Sequence, residues 1–207
     1  MIDPFRLDTE TLILGYANGY FPMPDPESWE IRWFHPDPRA ILPLDRFHCS
    51  RSLERVIRRG GFRVTINRDF TTVMQMCSER DETWINEEFK RAYGELHKVG
   101  FAHSLEIWTH DQLTGGVYGV ALGGAFFAES KFHRRTDHSK LALYYLIEHL
   151  KIAGFTLLEV QFMTPHLKTL GAEEISAAEY EKLLTTALGI TADFAGSGLQ
   201  QPREIPP

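Results

Sequence analysis

Apolar residues recur every third or fourth position along residues 139–153, with Leu143, Leu146 and Leu150 on one face. That spacing predicts an amphipathic helix. Further helices are predicted over 69–80, 86–99 and 177–188, with a short one over 165–170. Elsewhere the period drops to two. Residues 62–66 (FRVTI) and 104–109 (SLEIWT) read as strands, Asp111-Gln112 as a turn, and 113–121 as the returning arm of a hairpin. Residues 125–132 and 156–162 complete the strands. The order from residue 62 is strand, two helices, three strands, helix, strand, helix. It joins an antiparallel meander to a parallel crossover, and so predicts an α/β (α+β) fold with one central mixed sheet.

The first sixty residues read differently. Prolines and aromatics crowd GYFPMPDPESWE and WFHPDPRAILPL, and proline lacks the N–H that a regular ladder needs. Loops, short strands and one or two helices are expected there. Residues 8–18 predict a helix capped by Asp8, with Leu12, Tyr16 and Ala17 as a weak apolar face. Ser50 or Ser52 caps a second helix, which Gly60-Gly61 ends. The expected division is a small N-terminal domain (1–60), a main domain (61–195) and a flexible tail (196–207).

Composition narrows this picture only slightly. The chain has 207 residues, 43% hydrophobic and 24% charged, enough for one real core and a small appendage. MIDPFRLDTE holds acids and a proline where a secretory leader needs an apolar stretch. The longest apolar run, 117–128, is too short and too glycine-rich to span a bilayer. A cytoplasmic protein with no membrane partner is expected. Cys49 and Cys77 are the only cysteines, so there is no disulfide framework and no CxxC site. The histidines lack ligand spacing, since His133 and His138 stand five apart, and no metal is expected. The net charge of −6 offers no overall attraction to nucleic acid. Local clusters decide that question.

Three clusters carry candidate chemistry. In LLEVQF, Glu159 and Gln161 stand two apart on a predicted strand and share a face, with Leu158, Val160 and Phe162 on the other. A crossover strand is normally apolar on both sides. Glu129 ends the preceding strand and meets them if the two strands pair. A carboxylate and an amide so placed can orient an amine nucleophile and take its proton. The competing reading is a buried glutamate neutralised by Lys131 or Lys140. Phe126, Leu143, Leu146, Leu150 and Leu158 then line an apolar pocket beside these groups, or simply form core. Arg51, Arg55, Arg58 and Arg59 fall within about 100° of arc on one helix face. That face is either a phosphate-binding strip, for which arginine is well suited, or a solvated surface. Trp33 and Trp84 lie in loop-rich stretches, where an indole can stack on a base or pack in the core.

GYFPM, WFHPDPRAILPL, FHCSRSL, TWIN, AYGELHKVGFAHSLEIW, GGVYGVALGGAFFAESKF and QFMTPHLKTLGA follow one another along residues 11–190. Together they closely resemble the leucyl/phenylalanyl-tRNA–protein transferases. The resemblance implies transfer of Leu or Phe, with Met a further donor, from aminoacyl-tRNA to the N-terminal Arg or Lys of a protein, marking it for degradation. It implies a GNAT-like acyltransferase domain behind a small N-terminal domain, a monomer, and no cofactor. By that resemblance Gln161 and Glu159 are the catalytic pair and Glu129 binds substrate. Trp33 and Trp84 hold the terminal adenosine, Phe126 and the four leucines wall the Leu/Phe pocket, and the four arginines contact tRNA. The family usually has Asp where this chain has Glu159. GNAT acetyltransferases carry a glycine-rich turn that cradles coenzyme A. Here KFHRRTDHSK stands in that place with no glycine, which argues against an acyl-thioester donor and for a larger anionic one. A non-catalytic module that binds tRNA or basic N-termini is the remaining alternative.

Overall fold

The computed structural model describes residues 7–25, 27–28, 30–79 and 83–196. The predicted tail from 197 onward and the predicted helix end at Arg80 lie outside the described residues. The order is α1 (Thr9–Ala17), β1 (Phe21–Pro24), β2 (Ile31–Phe34), β3 (Arg39–Ile41), α2 (Arg51–Arg59), β4 (Arg63–Ile66), α3 (Phe70–Ser78) and α4 (Glu87–Lys98). There follow β5 (Ala102–Thr109), β6 (Gln112–Leu122), β7 (Ala125–His133), α5 (His138–Ile152), β8 (Leu157–Gln161), α6 (Pro165–Thr169), β9 (Glu173–Ile175) and α7 (Ala177–Leu188).

All the described helices but α5 begin where a short polar side chain caps them. Asp8, Ser50, Asp69, Asn86, Thr164 and Ser176 each accept a backbone N–H from the first turn. Gly60, at φ 63, ends α2. The hairpin between β5 and β6 turns on His110 and Asp111, both at positive φ, one residue earlier than the pattern predicts. Two successive left-handed residues match the strand twist of a two-residue hairpin.

Seven strands form one mixed sheet in the order β4-β5-β6-β7-β8-β3-β9, and β1-β2 form a separate antiparallel pair. Only β7 and β8 pair in parallel, joined through α5. The mixed α/β architecture is thus as expected. Beyond the expected order, β9 adds an edge strand on β3. β3, drawn from the proline-rich first sixty residues, sits inside the large sheet between β8 and β9.

The sheet separates two apolar layers. One buries Leu12, Tyr16, Phe89, Tyr93, Phe127 and Tyr180, from α1, α4, β7 and α7. The other buries Leu53, Phe126, Leu143, Leu146, Leu150 and Leu158, from α2, β7, α5 and β8.

Candidate active site

β7 and β8 pair only over Ala125–Phe127 and Leu157–Glu159, after which they part. A cavity of about 230 Å³ lies in the gap. Trp84, Leu143, Val160 and Leu167 contribute apolar walls, and Glu129, Lys131 and Gln161 supply polar groups.

Both strands are irregular here. In the β6–β7 register Tyr118 faces Ser130 and Gly119 faces Ala128, so Glu129 is the extra residue of a β-bulge. In the β3–β8 register Ala40 faces Gln161 and Ile41 faces Glu159, which leaves Val160 as the extra residue of a second bulge. Bulges re-aim side chains. Gln161 adopts φ 62, a left-handed conformation that costs a non-glycine residue of order 1 kcal/mol. It is retained because its N–H donates to Glu159 Oε1 at 2.6 Å and its Nε2 donates to Glu129 Oε1 at 2.9 Å. The strand turns at that point, and Phe162 departs from the predicted alternation. It packs edge-on against Phe21 and Phe34 instead of sharing the side of Leu158 and Val160.

Glu129 is buried within a hydroxyl cluster. The Tyr16 hydroxyl lies 2.7 Å from Oε1 and the Tyr93 hydroxyl 3.3 Å from Oε2, and the two hydroxyls also meet each other, three contacts for which the tyrosines supply two protons. Burial pushes the Glu129 carboxyl up to about 8, against the tyrosine hydrogen bonds, and the nearby Glu159 adds to the push. Burial likewise raises both tyrosines, and Glu129 raises them further.

Glu159 has no exposed surface. Its partner is neither Lys131 nor Lys140 but Arg39, whose Nε donates to Oε1 at 2.8 Å. Arg39 is itself fully buried and donates to the Gly19 carbonyl and the Tyr180 hydroxyl. Its guanidinium lies between the rings of Phe21 and Tyr180, 4.7 and 4.4 Å from their centroids. Burial raises the Glu159 carboxyl while Arg39 opposes the rise. Glu159 Oε2 is buried with no hydrogen-bond partner. Glu159 therefore meets Gln161 through the backbone, and it is Glu129 that meets the side-chain amide.

The other expected residues divide. Leu143 lines the cavity. Phe126, Leu146, Leu150 and Leu158 do not: they are at most 1% exposed, in the layer between sheet and α5. Trp84 lines the cavity edge-on to Phe89. Trp33 lies against Gly15 of α1, where a side chain would collide with its ring. Arg51, Arg55, Arg58 and Arg59 are all exposed on α2, while Leu53 is buried beneath them. Among the described residues, no three His, Cys, Asp or Glu side chains converge to hold a metal ion. No described helix is long and apolar enough to cross a membrane.

Sequence reasoning missed Arg39, Tyr16 and Tyr93 as parts of this site. Arg39 carried one signal, a lone cation entering the apolar run Ala40–Leu42. The tyrosines carried none, since each reads as one more aromatic on a helix face.

A family model described as leucyl/phenylalanyl-tRNA protein transferase matches residues 41–185, and the N-terminal domain model of the same description matches 5–37. A leucyl/phenylalanyl-tRNA–protein transferase of Ruegeria sp. (strain TM1040) is 50% identical over 200 residues, covering 96% of this chain and 95% of its own. One from Herpetosiphon aurantiacus is 52% identical over 190 residues, covering 91% and 98%. Among solved structures, FemX is similar at a TM-score of 0.48 and 13% identity, covering 81% of this chain and 66% of its own.

Proposed function

Because the chain belongs to the leucyl/phenylalanyl-tRNA protein transferase family, we propose that it moves leucine or phenylalanine from aminoacyl-tRNA to the N-terminal arginine or lysine of an acceptor protein. The donor's side chain enters the cavity against Leu143, Val160 and Leu167, and its terminal adenosine lies by Trp84. The arginine face of α2 contacts the body of the tRNA. The parting of β7 and β8 beside a crossover helix supports a GNAT-like acyltransferase domain.

The acceptor's α-amine attacks the ester carbonyl. A C–N bond forms, the C–O bond to the ribose breaks, and the proton lost by the amine ends on the ribose hydroxyl. The Gln161 amide nitrogen is committed to Glu129. Its carbonyl oxygen is therefore turned to accept from the amine and hold it in line. Glu129, with Tyr16 and Tyr93 behind it, is poised near neutrality to hold or pass a proton. Glu159 acts through the Gln161 backbone. The ester is already activated, so positioning supplies much of the rate. The observation that carries this reading is the Gln161–Glu129 hydrogen bond at the polar edge of an apolar cavity.

The test is transfer of labelled leucine from charged tRNA to a peptide beginning with Arg, beside the same peptide beginning with Ala. Transfer to the first alone is expected; no transfer to either would refute the reading. Gln161→Ala should lower the rate on the order of 100-fold while leaving tRNA affinity in place.

A further inference from the structure

The loop that carries the chain from β7 into α5 lines a second cavity, of about 750 Å³, together with Met76 and Glu79 at the end of α3 and His166 of α6. Lys131, His133, Arg134, Lys140 and His166 line it. Lys131 also lines the candidate active site, so the two cavities adjoin. Thr136 is shared in turn with a third cavity, which Arg59 of α2 and Arg135 also line. A row of cations thus runs from the arginine helix to Glu129 and Gln161.

We propose that the Lys131–Arg134–Lys140 cavity holds the phosphodiester groups of the donor's single-stranded 3′ end. This rests on the aminoacyl-tRNA reading above and assigns a separate stretch of that substrate. Positive charge is concentrated here. The His166 imidazole is pushed down by its burial and then by Lys131, Lys140 and His133 together. The acids present are Glu79, which pairs with Arg134 at 3.3 Å, and Asp137, which pairs with Lys140 at 2.8 Å. Both pairs are partly open to solvent, so a phosphate can compete for the cations. The spatial order also matches the donor. The ester belongs at Gln161, the next phosphates fall at Lys131 and Arg134, and the duplex falls beyond, at α2.

Three donors of one amino acid separate the parts: phenylalanyl-adenosine, phenylalanyl-CCA with two phosphodiesters, and phenylalanyl-tRNA. The wild-type protein should use the trinucleotide at least roughly tenfold better than the nucleoside. That advantage should fall with salt at a log–log slope of about −1.4, from ~0.7 per phosphate. In Arg134→Ala/Lys140→Ala the advantage should shrink to within about twofold. In Arg55→Ala/Arg58→Ala it should persist, and only the further gain from full-length tRNA should fall. If the trinucleotide is no better than the nucleoside, or the loop variant keeps the advantage, this assignment fails while the proposed function stands. If no donor is used at all, both fail. Should the double variant not fold, Arg134→Gln and Lys140→Gln made singly should each cut the advantage at least about twofold, and an unchanged advantage in both overturns the assignment.

Discussion

At the scale of residues, the controlling fact is the enclosure of charge. Glu159 is fully buried, and desolvating a carboxylate is expensive unless it is paired. Arg39 supplies the pairing, and its own remaining donors end on a carbonyl and a hydroxyl. Removing one partner leaves an uncompensated buried charge. Arg39→Met should therefore destabilise the protein by about 3–5 kcal/mol in urea unfolding. Arg39→Met/Glu159→Met should cost at least about 1 kcal/mol less than the two single changes summed. Strict additivity would mean that the pair contributes nothing as a pair. Arg39 also draws the Glu129 carboxyl down, but burial outweighs it and holds the proton on up to about 8. The unfolded value of that carboxyl is near 4.3. Between those values the folded state binds more protons than the unfolded, so this group's stabilising contribution declines as pH rises. Glu129→Gln should abolish that contribution. The stability difference, variant minus wild type, should grow from pH 5 to pH 8 by up to about 1.4 kcal/mol per pH unit. A difference that does not change with pH would show Glu129 to be ionised throughout.

Elements place these residues, and they do so through irregularity. The bulge that aims Glu129 into the cleft lies opposite Gly119, and a Cβ there would come 2.2 Å from the Phe127 carbonyl oxygen. Gly119→Ala is expected to cost about 1–3 kcal/mol or more, and to lower transfer because the bulge must shift. Gly94 in α4 is the contrast, since nothing lies within 4 Å of an added Cβ. There, alanine should stabilise by roughly 0.5–1 kcal/mol with transfer unchanged. Equal effects at the two sites would remove the case for the bulge. Element types were largely legible beforehand. The helix over 177–188 matches α7 at both ends, Asp8 caps α1 as expected, and of the two serines offered for α2 it is Ser50 that caps. The bulges were not legible. A period of two is the same on paper whether or not one residue is left over, because the surplus is defined by the neighbouring strand.

The whole molecule titrates in two opposed senses. Burial depresses four histidines: His103 and His138 to about 4, and His149 and His166 in the same direction. His149 Nε2 bonds the Phe194 carbonyl at 2.7 Å, and its Nδ1 is buried without a partner, so protonation there would bury an unpaired charge. The unfolded chain takes up these protons below about 6.5. Stability from the histidines is therefore lost as pH falls from about 6.5 toward 4. Glu129 erodes stability in the other direction, toward pH 8. Urea midpoints measured from pH 4 to 9 should peak between about 6 and 7, and a monotonic profile would contradict these burials. What the sequence by itself determined is local: where the helices and the longer strands lie, and that Glu129, Glu159 and Gln161 are candidate polar groups. Backbone sterics and the burial of one face act over a few residues, so their imprint is periodic and readable. Tertiary structure alone decided that Arg39 closes on Glu159 across 120 positions, that Leu143 faces the cleft while Phe126, Leu146, Leu150 and Leu158 form core, and that Tyr16 and Tyr93 converge on Glu129. Those outcomes depend on strand order, register and the packing of distant helices, which no local period records.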